Sequence, residues 1–464
     1  MTTPVITMHD TGKLTPQGWR SNGVSYQDLL DTNTRTPPPV LRNRSPIAPG
    51  QTRVPAERYT SRAFHDLEVE KVWKRAWQMA CREEDIPEVG DYIVYDVAHL
   101  SFLVIRSAPD RIQAYYNACL HRGRQLKEFD GKRASEIRCP FHGWAWEIDG
   151  QPKDIVCEWD FPGVKKEENA LPQVRVGTWG GFVFINPDGD SAGESLEEFL
   201  GDLPKHFERW PLEKRFKQAH VAKLLRCNWK VAQEAFMEAY HVVTTHPQIL
   251  AGLGDSNSQY DAWGNFSRAI SPNGTPSPHL AYRPTEQEML DSMFDRQLDA
   301  PPSVVVPEGK TAREVAASAS RTMMRSVLGE EAEDYCDSEY VDSFYYTLFP
   351  NFHPWGGFSR IVYRFRPYGD DPDMSIMECM FLSPFPEGKR PPPAPIHWLS
   401  ADDDWVEAPE LGMLARIFNQ DVFNIPKVQI GLKTMKKPEV VFGSYNETKI
   451  RHFHELLERW IERD

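Results

Sequence analysis

Two short segments, Cys119-Leu120-His121 and Cys139-Pro140-Phe141-His142, constrain this chain more than any other feature of its sequence. Each segment pairs one cysteine with one histidine, and a glycine follows each pair, at Gly123 and Gly143. Glycine and proline at these places favour tight turns. Two thiolates and two imidazoles can hold a two-iron, two-sulfur (2Fe-2S) cluster in which histidines replace cysteines on one iron. We therefore expect these four side chains to be the ligands of such a cluster.

A structural zinc site is the alternative for the same four ligands, because two cysteines and two histidines also satisfy tetrahedral zinc. Zinc modules more often place two cysteines in one short loop and two histidines in another. Here each loop carries one of each, which favours the 2Fe-2S cluster.

A second group of metal-binding residues lies between residues 228 and 246. A helix through this segment would put Glu234, Glu238 and His241 on one face. His246 would lie too far round to share that face, but Pro247 disfavours helical dihedrals at His246 and predicts a helix end there. A turn at that point could bring both imidazoles to one ion.

The third ligand must come from elsewhere. Two histidines and one carboxylate are the usual ligands of a mononuclear Fe(II) that activates dioxygen. In residues 411–434 apolar side chains recur at spacings of three and four, and Asp421 interrupts this stripe. Because an unpaired buried carboxylate is costly, a cation is expected beside Asp421. The alternatives are a helix broken at Pro426, with Asp421 on a solvated bend, or a ligand from the group Asp402, Asp403, Asp404 and Glu407.

With these two sites the chain resembles the Rieske non-heme iron oxygenases, and specifically their catalytic alpha subunit. The resemblance covers most of the chain and rests on the cluster motif, on the stretch from Asn228-Trp229-Lys230 to His246, and on Asp421. It implies an α+β fold: a small antiparallel β Rieske domain inserted in a helix-grip catalytic domain, which is an antiparallel sheet with a long C-terminal helix. A Rieske electron-transfer protein without catalytic iron is the alternative from another class. Respiratory Rieske proteins carry an additional cysteine in each loop, where this chain has Arg124 and Phe141.

The resemblance also implies an activity, that of an oxidoreductase that incorporates dioxygen. Electrons would pass from NAD(P)H through a separate reductase, and a ferredoxin where one is used, to the cluster and then to Fe(II). The expected substrate is an aromatic or other hydrophobic molecule, with ring dihydroxylation favoured and monooxygenation or O- or N-demethylation as the alternative. An apolar pocket is expected near Phe236, Met237, Leu250 and Leu253.

The resemblance gives Glu238 a role. In this family an acidic residue three positions before the first iron-binding histidine hydrogen-bonds, across a subunit boundary, to a cluster-ligating histidine. Glu238 occupies that position, where most members have aspartate, and its extra methylene puts the geometry of the bridge in question. An electron-transfer bridge between subunits implies an oligomer, and we expect a homotrimer, with or without a small beta subunit.

The 464 residues are enough for two or three domains. We expect an extended N-terminal arm at 1–52, a helical lead at 53–78, the Rieske domain at 79–188 and the catalytic iron domain at 189–464. Thr60 or Ser61 can cap a helix in the lead. Residues 276–340 are expected to form a polar, helical insertion. Strands are expected at 92–95, 102–105, 144–148, 181–185, 344–349, 358–366 and 374–382.

Composition excludes several classes of partner. The net charge of -14 argues against nucleic acid. No apolar run approaches the ~20 residues of a membrane span and no signal peptide pattern is present, so a cytoplasmic protein is expected. The five remaining cysteines are expected to be reduced core residues. A local basic group is expected to receive the electron donor; it consists of Arg122, Arg124, Lys127, Lys132, Arg133 and Arg138.

Overall fold

The computed structural model describes residues 12–15, 18–21, 23–46, 50–189, 193–294, 304–386 and 388–463. The predicted arm at 1–52 and the predicted insertion at 276–340 fall partly outside these ranges. The N-terminal elements are β1 (Gly12–Thr15), β2 (Gly18–Ser21), α1 (Tyr26–Leu30), α2 (Pro39–Arg42), β3 (Arg53–Pro55), α3 (Glu57–Thr60) and α4 (Arg62–Glu68).

Residues 23–46 pack on the catalytic domain rather than extend away from it. Leu30 and Leu41 are buried in the main core, and the Thr34 N–H donates to the Asp337 carboxylate at 2.6 Å. In the lead, Ser61 caps α4 by accepting from the Phe64 N–H at 3.3 Å, as its sequence predicts.

The small domain is built from two antiparallel sheets. Its strands are β4 (Gln78–Arg82), β5 (Tyr92–Val97), β6 (Leu100–Ala108), β7 (Arg111–Tyr116), β8 (Ile137–Arg138), β9 (Ala145–Trp146), β10 (Pro152–Asp154), β11 (Gln173–Trp179) and β12 (Phe182–Asn186). Six of them form a sheet in the order β4-β12-β11-β7-β6-β5, and β10-β9-β8 form the other. The cysteine and histidine loops follow β7 and β8. Of the strand expected at 144–148, only Ala145 and Trp146 (β9) are paired.

The larger domain follows as α5 (Leu196–Leu200), α6 (Leu203–Phe207), β13 (Arg215–Leu225), α7 (Trp229–Glu234), α8 (Val242–Thr245), β14 (Gln259–Trp263), β15 (Phe266–Ser271), α9 (Glu286–Met293), α10 (Ala312–Leu328), α11 (Asp337–Val341), β16 (Ser343–Leu348), β17 (Phe352–Pro354), β18 (Ile361–Pro367), β19 (Ser375–Pro384), β20 (His397–Leu399), α12 (Leu414–Thr434), β21 (Glu439–Val441) and α13 (Thr448–Glu462). Its sheet has the order β14-β15-β16-β17-β18-β19-β13-β20. The last pair, β13 and β20, is parallel. The predicted α+β fold is therefore confirmed, with a mixed rather than purely antiparallel large sheet.

Helix α12 runs through Pro426, so the alternative of a helix broken there is wrong. Asp421 is buried on the inner face of this helix, as the apolar stripe predicts. Beyond Pro426 the stripe is displaced by one residue: Val428 is 49% exposed, and Gln429 is buried instead.

A buried ion group joins the two domains. Arg364 and Arg366 of β18 both pair with the fully buried Glu378 of β19, Arg366 at 3.0 Å. Arg364 also donates to the carbonyl of Met79 in β4 at 3.0 Å. Because a buried charge is tolerated when it is paired and hydrogen-bonded, this group fixes the small domain against the large sheet.

Two other predictions can be compared with the structure. Four of the five additional cysteines are buried, but Cys157 is exposed, so its assignment to the core is wrong.

Within the described ranges, no helix has the length and apolar character needed to cross a membrane.

Candidate active site

The two loops of the small domain have the same backbone geometry. The Gly123 N–H donates to the Cys119 carbonyl at 2.8 Å, and the Gly143 N–H donates to the Cys139 carbonyl at 3.1 Å. Gly123 (φ 72°) and Gly143 (φ 80°) have left-handed backbones, which residues with a Cβ rarely adopt. Each glycine therefore lets its loop close behind the ligand pair.

The loops bring the four predicted cluster ligands together. The ring centroids of His121 and His142 are 4.7 Å apart, and the thiols of Cys119 and Cys139 lie within hydrogen-bonding reach of each other. Trp144 stacks on His121 with 5.2 Å between centroids and 9° between planes. Two thiols and two imidazoles thus converge at one end of the small domain, as a 2Fe-2S cluster requires.

Backbone N–H groups are directed at both thiols. Burial raises the pKa of Cys119, against the lowering effect of the His121 N–H. Burial acts in the same direction on the pKa of Cys139, but the N–H groups of Phe141 and His142 contribute to a net lowering of that pKa. Such donors favour thiolates, the form in which cysteine binds metal.

The segment at 228–246 is not one helix, so the predicted common helical face of Glu234, Glu238 and His241 is wrong. Asn228 caps α7 by accepting from the Lys230 N–H at 3.1 Å, and α7 ends at Glu234. Asn is a strong N-cap residue, which explains where the helix begins.

Glu238 lies just before helix α8, and His246 lies at the end of this helix. Glu238 accepts from the His241 N–H at 3.0 Å, in the turn that leads into α8. His246 ends α8 with a non-helical backbone (φ −125°, ψ 53°), as Pro247 predicts. The break between α7 and α8, together with this end, turns both imidazoles toward α12.

His241, His246 and Asp421 form a compact metal-binding group. Their ligand atoms all lie within 4.8 Å of one another. Nε2 of His246 is 2.8 Å from Oδ1 of Asp421, and Nε2 of His241 is 3.5 Å from the same oxygen. Two imidazoles and one carboxylate facing a common point match the ligand set of mononuclear Fe(II). The alternative ligands Asp402, Asp403, Asp404 and Glu407 are not part of this group.

The electrostatics of the group favour a cation. Burial alone would lower the pKa of His241, but Glu238 and Asp421 outweigh it and raise this pKa to about 10. Burial would raise the pKa of Asp421, but His241 and His246 lower it. The position between these side chains therefore stabilises positive charge, which is the property that a divalent ion needs.

A second layer of side chains orients both histidines. Nδ1 of His241 donates to Oε1 of Glu238 at 2.6 Å, and Nδ1 of His246 donates to Oε1 of Gln420 at 2.8 Å. Each bond leaves the Nε2 lone pair free to face the ion. Sequence reasoning found Glu238 beside the site but missed Gln420, whose only signal is that it precedes Asp421.

Three aromatic side chains pack together at the buried face of α12 that carries Asp421. Phe236 contacts Tyr363 (5.1 Å between centroids) and Phe418 (5.7 Å). Tyr363 lies near enough to Asp421 for this carboxylate to add to the effects of burial and Cys379, which raise the pKa of Tyr363. Of the predicted pocket residues, Met237 and Leu250 are fully buried core residues.

An acidic cavity of about 250 Å³ opens on the outer side. His241 and Asp421 lie in its wall together with three carboxylates, those of Glu234, Glu238 and Glu447. Burial, with Glu238 and Glu234 nearby, raises the pKa of Glu447 to about 7. Sequence reasoning missed Glu447, because nothing in its local sequence distinguishes it from other surface glutamates.

The predicted basic surface is largely paired within the small domain. Arg124 pairs with Glu128, Arg138 with Glu136 at 2.6 Å and Lys132 with Asp91 at 3.3 Å. Arg122 instead donates to Nε2 of His142 at 2.6 Å, at the exposed end of the domain.

Comparison with known families decides the identity of the chain. The model described as "Ring hydroxylating alpha subunit (catalytic domain)" matches residues 201–463, more than half of the chain. The model described as "Rieske [2Fe-2S] domain" matches residues 76–164. The chain belongs to the Rieske non-heme iron oxygenases. It is a ring-hydroxylating alpha subunit by family, and the predicted enzyme class (EC 1.14) is confirmed at this level.

The family membership confirms the predicted cofactors, a 2Fe-2S cluster and a mononuclear iron held by His241, His246 and Asp421. The zinc site and the electron-transfer protein without catalytic iron are therefore excluded.

Relatives of this alpha subunit differ in their reactions. It is 28% identical to the anthranilate 1,2-dioxygenase large subunit of Acinetobacter baylyi over 53% of this chain and 58% of the relative. It is 31% identical to the carnitine monooxygenase oxygenase subunit of Escherichia coli over 44% of this chain and 53% of the relative. The chain thus spans about half the length of these relatives.

Among solved structures, the fold resembles that of a naphthalene 1,2-dioxygenase mutant bound to phenanthrene. The TM-score is 0.62 at 17% identity, and the match covers 91% of this chain and 94% of that one. At this identity the likeness concerns the fold alone.

Proposed function

We propose that this alpha subunit is the terminal component of an oxygenase that hydroxylates an aromatic or other hydrophobic substrate. Cys119, His121, Cys139 and His142 hold the 2Fe-2S cluster. The observation that carries the proposal is the second site: His241, His246 and Asp421 converge within 4.8 Å beside aromatic side chains. When bound, the cluster supplies electrons and the iron supplies open positions for dioxygen.

The protein's own side chains orient the iron-binding histidines and exclude water from the site. Glu238 and Gln420 hold the Nδ1 atoms of the two histidines, so that both Nε2 atoms point at one position. Phe236, Tyr363 and Phe418 keep bulk water from the inner side of Asp421, which limits side reactions during oxygen activation.

Glu238 is the proposed bridge to a neighbouring subunit, although most relatives have aspartate there. Its carboxylate already holds His241 and lies in the wall of the acidic cavity. Val428 (49% exposed) and Val441 (57% exposed) add an apolar rim. A complementary surface exists at the cluster end, where Phe141 is 60% exposed and Arg122 lies beside His142.

An acidic, apolar cavity and a basic, apolar projection on the same chain favour head-to-tail association. A head-to-tail contact closes into a ring when its rotation permits. We therefore propose a homotrimer in which each cluster end enters the next subunit's cavity, with or without a small beta subunit. Electrons would reach the cluster from NAD(P)H through a cytoplasmic reductase and a ferredoxin where one is used.

The substrate has two candidates. Rings such as Phe236 and Tyr363 stack with a flat aromatic molecule, for which ring dihydroxylation is the favoured outcome. The same rings attract a methylated ammonium group through cation–π contacts. The match to a carnitine monooxygenase subunit supports this second candidate, which leads to monooxygenation or demethylation.

Mass spectrometry of products formed from labelled dioxygen tests the proposal. Reduced protein with both metal sites filled is mixed with a panel of aromatics, methoxy compounds and methylated ammonium compounds. Two labelled atoms in one product indicate dihydroxylation, and one labelled atom, or loss of a methyl group, indicates the second candidate. If no member of the panel is oxygenated, the proposed substrate class is wrong.

A further inference from the structure

Five aromatic side chains form a row that leads from the iron site to the edge of the large domain. In order they are Tyr363, Trp355, Tyr345, Tyr260 and Tyr445. The centroid separations are 5.9 Å for Tyr363 and Trp355, 5.4 Å for Trp355 and Tyr345, and 5.4 Å for Tyr260 and Tyr445. Tyr345 and Tyr260 lie in one buried cluster and both pair with Ala269.

The contact between Tyr345 and Tyr260 depends on the small residue between them. Tyr260 of β14 and Tyr345 of β16 both pair with Ala269 of β15, from opposite sides. Because alanine fills little space above the sheet, the two phenol rings can meet over it. The row is therefore built into the register of three strands.

The row meets the iron site at two of its members, Tyr363 and Tyr260. Tyr363 lies beside Asp421, whose charge acts on its phenol. The hydroxyl of Tyr260 accepts from the Ala239 N–H at 3.1 Å, in the turn between Glu238 and His241. The outer end is the half-buried Tyr445, whose hydroxyl donates to the Ser258 carbonyl at 2.8 Å.

The composition of the row distinguishes it from ordinary core packing. Phenylalanine is the commonest aromatic residue of this chain, with 24 copies against 16 tyrosines and 14 tryptophans, and it supplies the ring contacts around Tyr363. It occupies none of the five positions. Phenol and indole rings lose one electron at much lower potentials than a phenyl ring does. Every position in the row can therefore be oxidised and reduced again.

We propose that this row is a route by which electrons reach the iron site when dioxygen is reduced there without substrate. Tyr363 would give one electron to an oxidant left at the iron that His241, His246 and Asp421 would hold, and each ring would then take one electron from the next ring outward. The electron vacancy arrives at Tyr445. A soluble thiol or ascorbate in the solvent gives Tyr445 one electron and one proton, and is itself oxidised by one electron.

The hydrogen bonds along the row suit this transfer. An oxidised tyrosine must release its phenolic proton, and the Tyr345 hydroxyl bonds to Ser271 at 3.0 Å, which in turn bonds to Ser258 at 2.6 Å. Trp355 has no acceptor for its buried Nε1 atom within the described part of the chain. Its oxidised ring therefore keeps its proton and passes the vacancy on.

The inference rests on the mononuclear iron and not on the identity of the substrate. Its test uses iron-loaded protein without substrate, treated with pulses of hydrogen peroxide. Frozen samples are examined by electron paramagnetic resonance, and residue oxidation is mapped by peptide mass spectrometry. We expect a tyrosyl radical and oxidation at Tyr445. Protein lacking iron through Asp421→Ala should show neither.

Two variants and a matched control make the test specific. Trp355→Phe interrupts the row between Tyr363 and Tyr345 and leaves only the contact through Tyr260, so oxidation at Tyr445 should fall and oxidation of His241 and His246 should rise several-fold. Tyr445→Phe should retain the radical on the interior rings. Tyr346→Phe alters the buried neighbour of Tyr345 on the opposite face of β16 and should behave as wild type.

These measurements test the aromatic row independently of the proposed oxygenase reaction. Iron content, circular dichroism and coupled turnover are measured on every variant, so a failure of folding or of the oxygenase proposal is recognised independently. The inference is overturned if Tyr445 is oxidised equally in the Asp421→Ala protein, or if Trp355→Phe and Tyr346→Phe give the same oxidation map as wild type.

Discussion

Nδ1 of His241 lies 2.6 Å from Oε1 of Glu238, on the opposite edge of the ring from the Nε2 atom that faces Asp421. One imidazole therefore connects the iron position with a carboxylate in the wall of an outward-facing cavity. The carboxylate fixes the ring tautomer, and its second oxygen, Oε2, accepts from the His241 N–H. This relationship places the Glu238 carboxylate between the iron position and the wall of that cavity.

Glu238→Gln should slow electron transfer to the iron without removing either metal centre. The amide keeps the size of the side chain but lacks the charge that holds His241 and attracts a basic partner. Stopped-flow absorbance should show oxidation of the reduced cluster about 10- to 100-fold slower, the range seen when partners of metal ligands are lost. Unchanged cluster oxidation kinetics would remove Glu238 from the route.

Asp421→Ala should abolish binding of the mononuclear iron while the cluster remains. Two neutral imidazoles without a carboxylate no longer provide the ligand set or charge that Fe(II) prefers. Metal analysis and the cluster's visible spectrum measure the two centres separately. Asp402→Ala, at one of the alternative carboxylates, is the matched control and should retain iron; the reverse result would move the ligand to the 402–407 loop.

Gln420→Ala should weaken iron binding by about 10- to 100-fold, because His246 loses the acceptor that fixes its ring. Titration of metal-free protein with Fe(II) measures this affinity. Gln248→Ala provides the comparison, since Gln248 contacts Gln420 but not a ligand histidine. Equal affinities in wild type and Gln420→Ala would mean that packing alone orients His246.

Glu447→Gln should stabilise the protein at alkaline pH and not at acid pH. Burial, together with Glu238 and Glu234, outweighs the lowering effects of the Gly443 N–H and Arg451 and raises the pKa of Glu447 from 4.5 to about 7. The folded state therefore prefers the neutral carboxyl, and stability is lost as pH rises through about 7. A shift of this size corresponds to at most roughly 3 kcal/mol.

Denaturant unfolding at about pH 5 and about pH 8 measures that difference. The exposed Glu462, on the same helix α13, is the charge-matched control. If Glu447→Gln and Glu462→Gln change the free energy of unfolding alike at both pH values, the environment assigned to Glu447 is wrong.

The sequence predicts those features of the site whose signals lie within a few residues of one another. Cys119, His121, Cys139 and His142 lie in two loops whose glycines and spacing carry the geometry, and Asp421 interrupts a helical stripe. The single helix at 228–246 is a wrong prediction because helical periodicity does not register the turn at Glu238, whose carboxylate accepts from the N–H groups of Tyr240 and His241 before α8 begins. Gln420 and Glu447 act through neighbours distant in sequence, for which no local pattern exists.

The aromatic row illustrates the same limit. Tyr260, Tyr345 and Tyr445 come from two strands and a loop separated by up to 185 positions, and only the register of β14, β15 and β16 brings the first two together. Strand alternation in the sequence places Tyr363 and Phe365 on one face of β18. It did not predict that Arg364 and Arg366 on the other face would be buried against Glu378, because that burial comes from the small domain.

The most direct test of the central claim, electron transfer between subunits, is activity in trimers assembled from two inactive variants. Cys139→Ser lacks the cluster but keeps the iron, whereas Asp421→Ala lacks the iron but keeps the cluster. Trimers from coexpression of both should regain roughly a quarter of wild-type oxygenation, since one contact in four joins an intact cluster to a neighbour's intact iron. No recovery, with the expected cluster and iron present in the mixed protein, would contradict the account.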